Sequence, residues 1–180
     1  MKAICIHEYG DESVLKYEDV PDPTMGPEDV IIRVRAASVN RGDLSRRSGG
    51  ISPAPLSKPL IVGWDVAGDV EEIGSEVDSV QVGQRVVARL PDGGYAERAS
   101  APANVVVPLP DNVNYDEAAS LPVAFLTAWV ALLDTAKLKS GEACPRAIGG
   151  QRGRHGRCAD CEARGRRASV HNGWHGRESC

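Results

Sequence analysis

The chain changes chemistry at Cys144, and that break limits what part of it can fold. Residues 144–180 hold eight Arg and no Lys, four of the five Cys and three of the four His. Their only branched aliphatic side chains are Ile148 and Val170. A segment so poor in apolar groups cannot bury enough surface to offset the entropy of ordering itself. A globular fold must therefore be encoded by the residues before it.

A length of 180 residues fits one domain, or one domain plus a piece of another. Hydrophobic residues at 42% suffice for a core, and aromatics at 4% mean that Val, Ile, Leu and Ala fill it. The net charge of -4 hides an asymmetry. The arginines of the tail, set against Asp160, Glu162 and Glu178, give it +5 and leave -9 on the body. An acidic body argues against nucleic acid as its partner. No run approaches the roughly 20 apolar residues of a membrane span. Met1 to Ile6 is too short and too soon polar for a secretory leader, so a cytoplasmic location is expected. Cys5 stands alone in the body, which leaves no disulfide framework there.

Gly, Pro, Asp and Asn punctuate the body often enough to predict many short strands. Lys2–His7 suits a first strand, and Leu15–Asp19 suits its hairpin partner. Asp29–Ser38 is the strongest strand, with Val30, Ile32 and Val34 alternating with Ile31, Arg33 and Arg35. Asn40–Arg47 predicts a short helix opened near Asn40, and Ser48–Pro59 a long loop of the kind that borders a site. Ile61–Ile73 reads as two strand pieces in which Gly63 and Gly68 allow close backbone approach. Gly83–Ala88, Gly94–Ala99 and Ala103–Val107 read as further strands. Helical patterning then begins at Tyr115–Ser120 and continues over Pro122–Ala136, with Phe125, Ala128, Trp129, Leu132 and Leu133 at helical spacing. Strands first and helices afterwards give a mainly β, α+β fold class.

Five segments carry a resemblance in order along the chain: Val39-Asn40-Arg41-Gly42-Asp43-Leu44, Gly63-Trp64-Asp65-Val66-Ala67-Gly68, Val82-Gly83-Gln84-Arg85-Val86, Gly93-Gly94-Tyr95-Ala96-Glu97 and Leu126-Thr127-Ala128-Trp129. Over about residues 1–142 the chain resembles the chaperonin-10-like catalytic domain of medium-chain dehydrogenases/reductases. It is most similar to the zinc-independent quinone oxidoreductase branch that includes zeta-crystallin. The resemblance implies a partly open β-barrel over 1–121, a linking helix over 122–142, and a Rossmann cofactor domain beyond it. It implies NADPH as cofactor, a quinone or enone as substrate, and a homodimer for the full-length family.

Zinc enzymes of that superfamily place a Cys near Asn40 and a His-Glu pair at Trp64-Asp65. Asn40, Trp64 and Asp65 cannot supply the three ligands and open position of a catalytic zinc, so no metal is expected in the body. The four-Cys structural cluster expected between Arg89 and Tyr95 is absent as well. The resemblance implies that Asn40 and Asp43 are catalytic residues facing the nicotinamide and substrate, with Tyr95 and Thr127 lying along the cofactor beside Asn40. Asn40 would then donate to a quinone oxygen as charge develops on it, and Asp43 would orient Asn40 or relay a proton. Spacing alone supports plainer roles just as well. Asn40 and Asp43 fit a helix cap and its capping-box partner. Tyr95 can close a hairpin, and Thr127 can bond back to a helix carbonyl. Trp64 is core or a wall of the substrate cleft, and His7 is a surface residue of its strand.

In the family, a strand and a glycine-rich turn follow the Gly-Glu found here as Gly141-Glu142. Here Gly149-Gly150-Gln151-Arg152-Gly153 has neither an apolar strand before it nor an apolar helix after it. Back-translating Cys144–Ala163 and reading one nucleotide later permits a Val/Leu-rich strand, a Gly-x-Gly-x-x-small phosphate turn and an apolar helix. A frameshift near Ala143 is therefore expected, with residues 143–180 an out-of-frame, disordered tail where a Rossmann domain would stand and no NADPH bound by the fragment. Two other readings remain. One is a non-catalytic binding or structural protein on the same barrel. The other is a tail that binds zinc through Cys158 and Cys161, or binds nucleic acid through its arginines.

Overall fold

The computed structural model describes residues 1–51 and 55–140. The expectations for the tail, its Cys and Arg residues and the frameshift included, lie outside the described residues. The described chain falls into two compact units, the first running from Met1 to Ala124 and the second beginning at Phe125.

The first unit is built on two antiparallel sheets. β1 (Lys2–Ile6) pairs with β2 (Lys16–Asp19) on one side and β4 (Leu60–Ile61) on the other. The larger sheet has β3 (Asp29–Ala37) and β5 (Asp65–Ile73) at its heart, β7 (Arg98–Pro102) outside β3, and β6 (Arg85–Arg89) and then β8 (Val106–Pro108) outside β5. Two register shifts interrupt the β3–β5 ladder, between Ile31 and Ile32 and between Val34 and Ala36. Such irregularities bend a strand and increase its twist, which curls the sheet into a half-barrel. At the second shift the Arg33 carbonyl occupies the space a side chain on Gly68 would need.

The core lies between the curled faces. Val30, Ile32, Val66, Val70, Val80, Val86, Ala88, Leu90, Ala99 and Ala101 pack in one cluster. Each large aliphatic side chain taken fully out of water contributes about 1.5–3 kcal/mol. A second cluster covers the other face of β5 and β6, where Ala67 and Val87 meet Ala118 and Ala119 of helix α2 (Tyr115–Ala119). Asn114 caps α2: its side chain accepts from the Glu117 N–H at 2.8 Å. β5 is thus packed on both faces over its first half, Asp65–Gly68, whereas Asp69, Glu71 and Glu72 of its second half are not buried.

Three expectations shift. The strand expected at Gly94–Ala99 begins only at Arg98. The Tyr95 N–H donates to the Val62 carbonyl and its own carbonyl accepts from the Ile4 N–H, both at 2.8 Å, so this stretch joins the small sheet's neighbourhood instead. Ala103–Val105 forms a 3-10 turn, and only Val106–Pro108 pairs as a strand. The long helix is α-helical as α3 (Pro122–Trp129) and then widens to a π-helix over Val130–Thr135. Phe125, Leu126, Trp129, Val130 and Leu133 are all exposed there, so among the described residues no packed face holds the segment to a 3.6-residue repeat. The segment stops at Lys137, whose φ of 52° is left-handed. Among the described residues no helix is long and apolar enough to cross a membrane.

Candidate active site

Helix α1 (Arg41–Arg47) starts immediately after β3, and Asn40 stands at its N-cap with an extended backbone (φ -106°, ψ 156°). Asp43, at the third helical position, turns back so that its Oδ2 accepts from the Asn40 N–H at 2.7 Å. This satisfies one of the orphan donors of a helix start and sets a carboxyl at its positive end. Only this half of a capping box is made, because the Asn40 side chain forms no bond to the helix.

The same two residues also belong to a buried polar cluster. The Tyr95 hydroxyl lies 2.9 Å from Asp43 Oδ2 and 3.1 Å from the Ser38 carbonyl, so one phenolic proton is shared between two acceptors. The Asn40 side-chain amide donates to Ser38 Oγ at 3.0 Å and to Asp65 Oδ2 at 3.1 Å. Ser38 Oγ donates to the same Asp65 oxygen at 3.1 Å, and the Val123 N–H donates to it at 3.2 Å. Asp43 is 4% exposed and Asp65 0%.

Burial pushes the Asp43 carboxyl above the ordinary carboxylate range. The Asn40 N–H and the Tyr95 hydroxyl pull it back down, while the charges of Asp65 and Asp92 push it up. Burial, and then the bond to Asp43, raise the Tyr95 phenol well above its usual value. Tyr95 is consequently a neutral donor, and Asp43 is a carboxyl that holds its proton more tightly than a surface aspartate does. Oδ1 of Asp43, Oδ1 of Asp65 and Nε1 of Trp64 are buried and make no hydrogen bond among the described residues. Groups of this kind mark places where a protein puts polar chemistry ahead of stability.

Packing fixes the cluster. The Trp64 ring fills the space over Gly42, where a Cβ would overlap its six-membered ring, and the Arg89 guanidinium sits 5.5 Å from the Trp64 ring. Gly63, at φ +103°, brings its backbone against the Tyr95 ring, where a Cβ would overlap Cδ1 and Cε1. At the other end of α1, Arg46 makes two bonds to Asp92, at 3.1 and 2.7 Å.

Of the residues singled out in the sequence, Asn40, Asp43 and Tyr95 are joined by hydrogen bonds, and Trp64 packs beside them on α1. Thr127 lies on α3 in the second unit and is exposed. The sequence reading left out Ser38, Asp65 and the Val123 N–H. A signal for Asp65 existed, because an aspartate set among the apolar residues of Val62–Ala67 must find partners if that stretch is core. Among the described residues no three His, Cys, Asp or Glu side chains are grouped so as to hold a metal ion.

Residues 26–111 match the alcohol dehydrogenase GroES-like domain family. The chain is 38% identical over 144 residues to quinone oxidoreductase of Mus musculus, an alignment that covers 79% of this chain and 43% of that protein. Among solved structures, human synaptic vesicle membrane protein VAT-1 homolog-like protein superposes with a TM-score of 0.75 at 32% identity, over 80% of this chain and 46% of that one. Escherichia coli quinone oxidoreductase complexed with NADPH superposes with a TM-score of 0.72 at 26% identity, over 80% and 44%. The chain spans less than half the length of the curated relatives it matches.

Proposed function

We infer that this chain, a member of the medium-chain dehydrogenase/reductase superfamily through its GroES-like domain, is the substrate half of an NADPH-dependent quinone or enone reductase of the zinc-independent branch. The observation that carries the reading is the buried Asn40–Asp43–Tyr95–Asp65 cluster at the start of α1. The names of the relatives support the reaction class, and the NADPH complex of a neighbour supports the cofactor.

The donor set suits the reacting end of such a cofactor. An amide, a phenol and a carboxyl with an upward-shifted pKa are hydrogen-bonding groups for a nicotinamide carboxamide or a quinone oxygen. Asn40, Asp43 and Tyr95 carry no positive charge, so these groups address the reacting end of a dinucleotide and not its phosphates. When bound, NADPH supplies a hydride. The protein's part is to orient the acceptor, exclude water and provide the accompanying proton. Tyr95 is a neutral phenol and the Asp43 carboxyl is shifted upward by burial, so these are the two groups of the cluster suited to hand on a proton. Both Asn40 amide hydrogens are engaged, so Asn40 meets a substrate oxygen by exchanging its Ser38 bond for one to the substrate. Trp64 is assigned to the cleft wall, and Thr127 to the cofactor.

The proposal is tested by two proteins side by side: the 180-residue chain, and one in which the codons after 143 are read one nucleotide later. NADPH oxidation with a panel of quinones and enones is expected in the second and not in the first. Turnover by the 180-residue chain would overturn the assignment of residues 143–180. Failure of the second protein to bind NADPH would favour a non-catalytic role for the barrel.

A further inference from the structure

We propose that Asp65 is the positioning residue of this site, fixing the direction of the Asn40 amide and fastening the first turn of α3 to the Asn40 segment with a single carboxylate oxygen. Asp65 opens β5, in the centre of the larger sheet, where its backbone is held by pairing with Arg89 of β6 and its carbonyl accepts from the Ser38 N–H at 3.3 Å. The side chain is fully buried. Its Oδ2 gathers three donors from three places: the Ser38 hydroxyl after β3, the Asn40 amide at the start of α1, and the Val123 N–H in the first turn of α3.

An aspartate costs more to bury than any neutral residue of its size, unless donors surround it. Here the donors are the ones that define the site. An Asn side chain can flip its amide end for end, and the two orientations offer opposite chemistry to a ligand. The acceptor pair Asp65 Oδ2 and Ser38 Oγ removes that freedom, because the amide NH2 must face both. The Val123 N–H is one of the unpaired donors of a helix start, and a carboxylate there is favoured by the helix dipole as well. Asp65 thus acts through Asn40 and does not itself meet the substrate. Its catalytic meaning rests on the reductase reading above. Its positioning role is read without turnover, so failure of one is distinguishable from failure of the other.

The test is nuclear magnetic resonance on the isotope-labelled full chain. In the wild type the Asn40 side-chain NH2 hydrogens are expected to exchange with water roughly tenfold or more slowly than those of exposed Asn112. Asp65→Asn is expected to shift both the Asn40 side-chain NH2 signals and the Val123 backbone amide. Ser38→Ala is expected to shift Asn40 and leave Val123 in place. Exchange of Asn40 at the Asn112 rate in the wild type would overturn the proposal, even if Asp65→Asn did not fold. So would a folded Asp65→Asn protein in which neither signal moves.

Discussion

The Tyr95 hydroxyl reaches to within 2.9 Å of Asp43 Oδ2, the oxygen that also receives the Asn40 N–H. Fifty-two positions of sequence separate the two residues, so the contact is a product of the fold. Tyr95→Phe removes a donor that holds the Asp43 carboxyl down. The Asp43 pKa is expected to rise further, read from its carboxyl carbon resonance against pH. The lost bond is expected to destabilise the fold by about 1 kcal/mol, read from urea unfolding.

Asp43 itself sets a pH dependence of known sign. Its folded carboxyl titrates above the ordinary range, so the folded state prefers the protonated form. The stability this contributes is complete below the unfolded value and is lost as pH rises through the folded one. As pH rises from the ordinary aspartate value of about 4 through the higher folded value, the wild type is expected to lose stability relative to Asp43→Asn. A wild type that gains on the variant over this window would show that the Asn40 and Tyr95 bonds outweigh burial.

Glu71 behaves in the opposite way. It bonds Arg98 at 2.8 Å and Arg33 at 2.6 Å, and these arginines draw its carboxyl down to about 2. Its stabilisation is present above the unfolded carboxylate value and is lost as pH falls toward about 2. Urea midpoints of wild type and Glu71→Gln are expected to converge as the solution is acidified. Added salt at neutral pH is expected to narrow the same gap, because exposed ion pairs are screened.

Two effects compete at Gly42. Alanine in place of glycine inside a helix ordinarily stabilises by about 1 kcal/mol. Here the added methyl overlaps the Trp64 ring, and overpacking of that kind costs about 1–3 kcal/mol. Gly42→Ala is expected to lower the urea midpoint, and Gly42→Ala with Trp64→Leu to recover part of the loss through coupling of the two sites. A midpoint raised by Gly42→Ala alone would mean that the ring yields without cost.

Much of the barrel was legible because its strands have one buried face. The alternation of β3 holds from Ile32 to Arg35 while Ile31 is buried as well, and Asn40 takes the N-cap position without a capping bond from its side chain. The role of Asp65 was not legible, since its donors Ser38, Asn40 and Val123 come from three other places in the chain and are brought to it only by the fold. Tyr95 read as part of a strand because its neighbours suit one, yet its backbone bonds go to Ile4 and Val62, a choice made by distant chain. The widening of the last helix past Trp129 goes with apolar side chains that are exposed among the described residues, which periodicity alone does not disclose.

The contact between Gly63 and the Tyr95 ring has a consequence in time as well as in space. The phenol ring rests against backbone in a place that only glycine leaves open, so the room it has to turn over depends on the β4–β5 link. Slowed rotation of the Tyr95 ring is therefore expected to report how tightly that link is held.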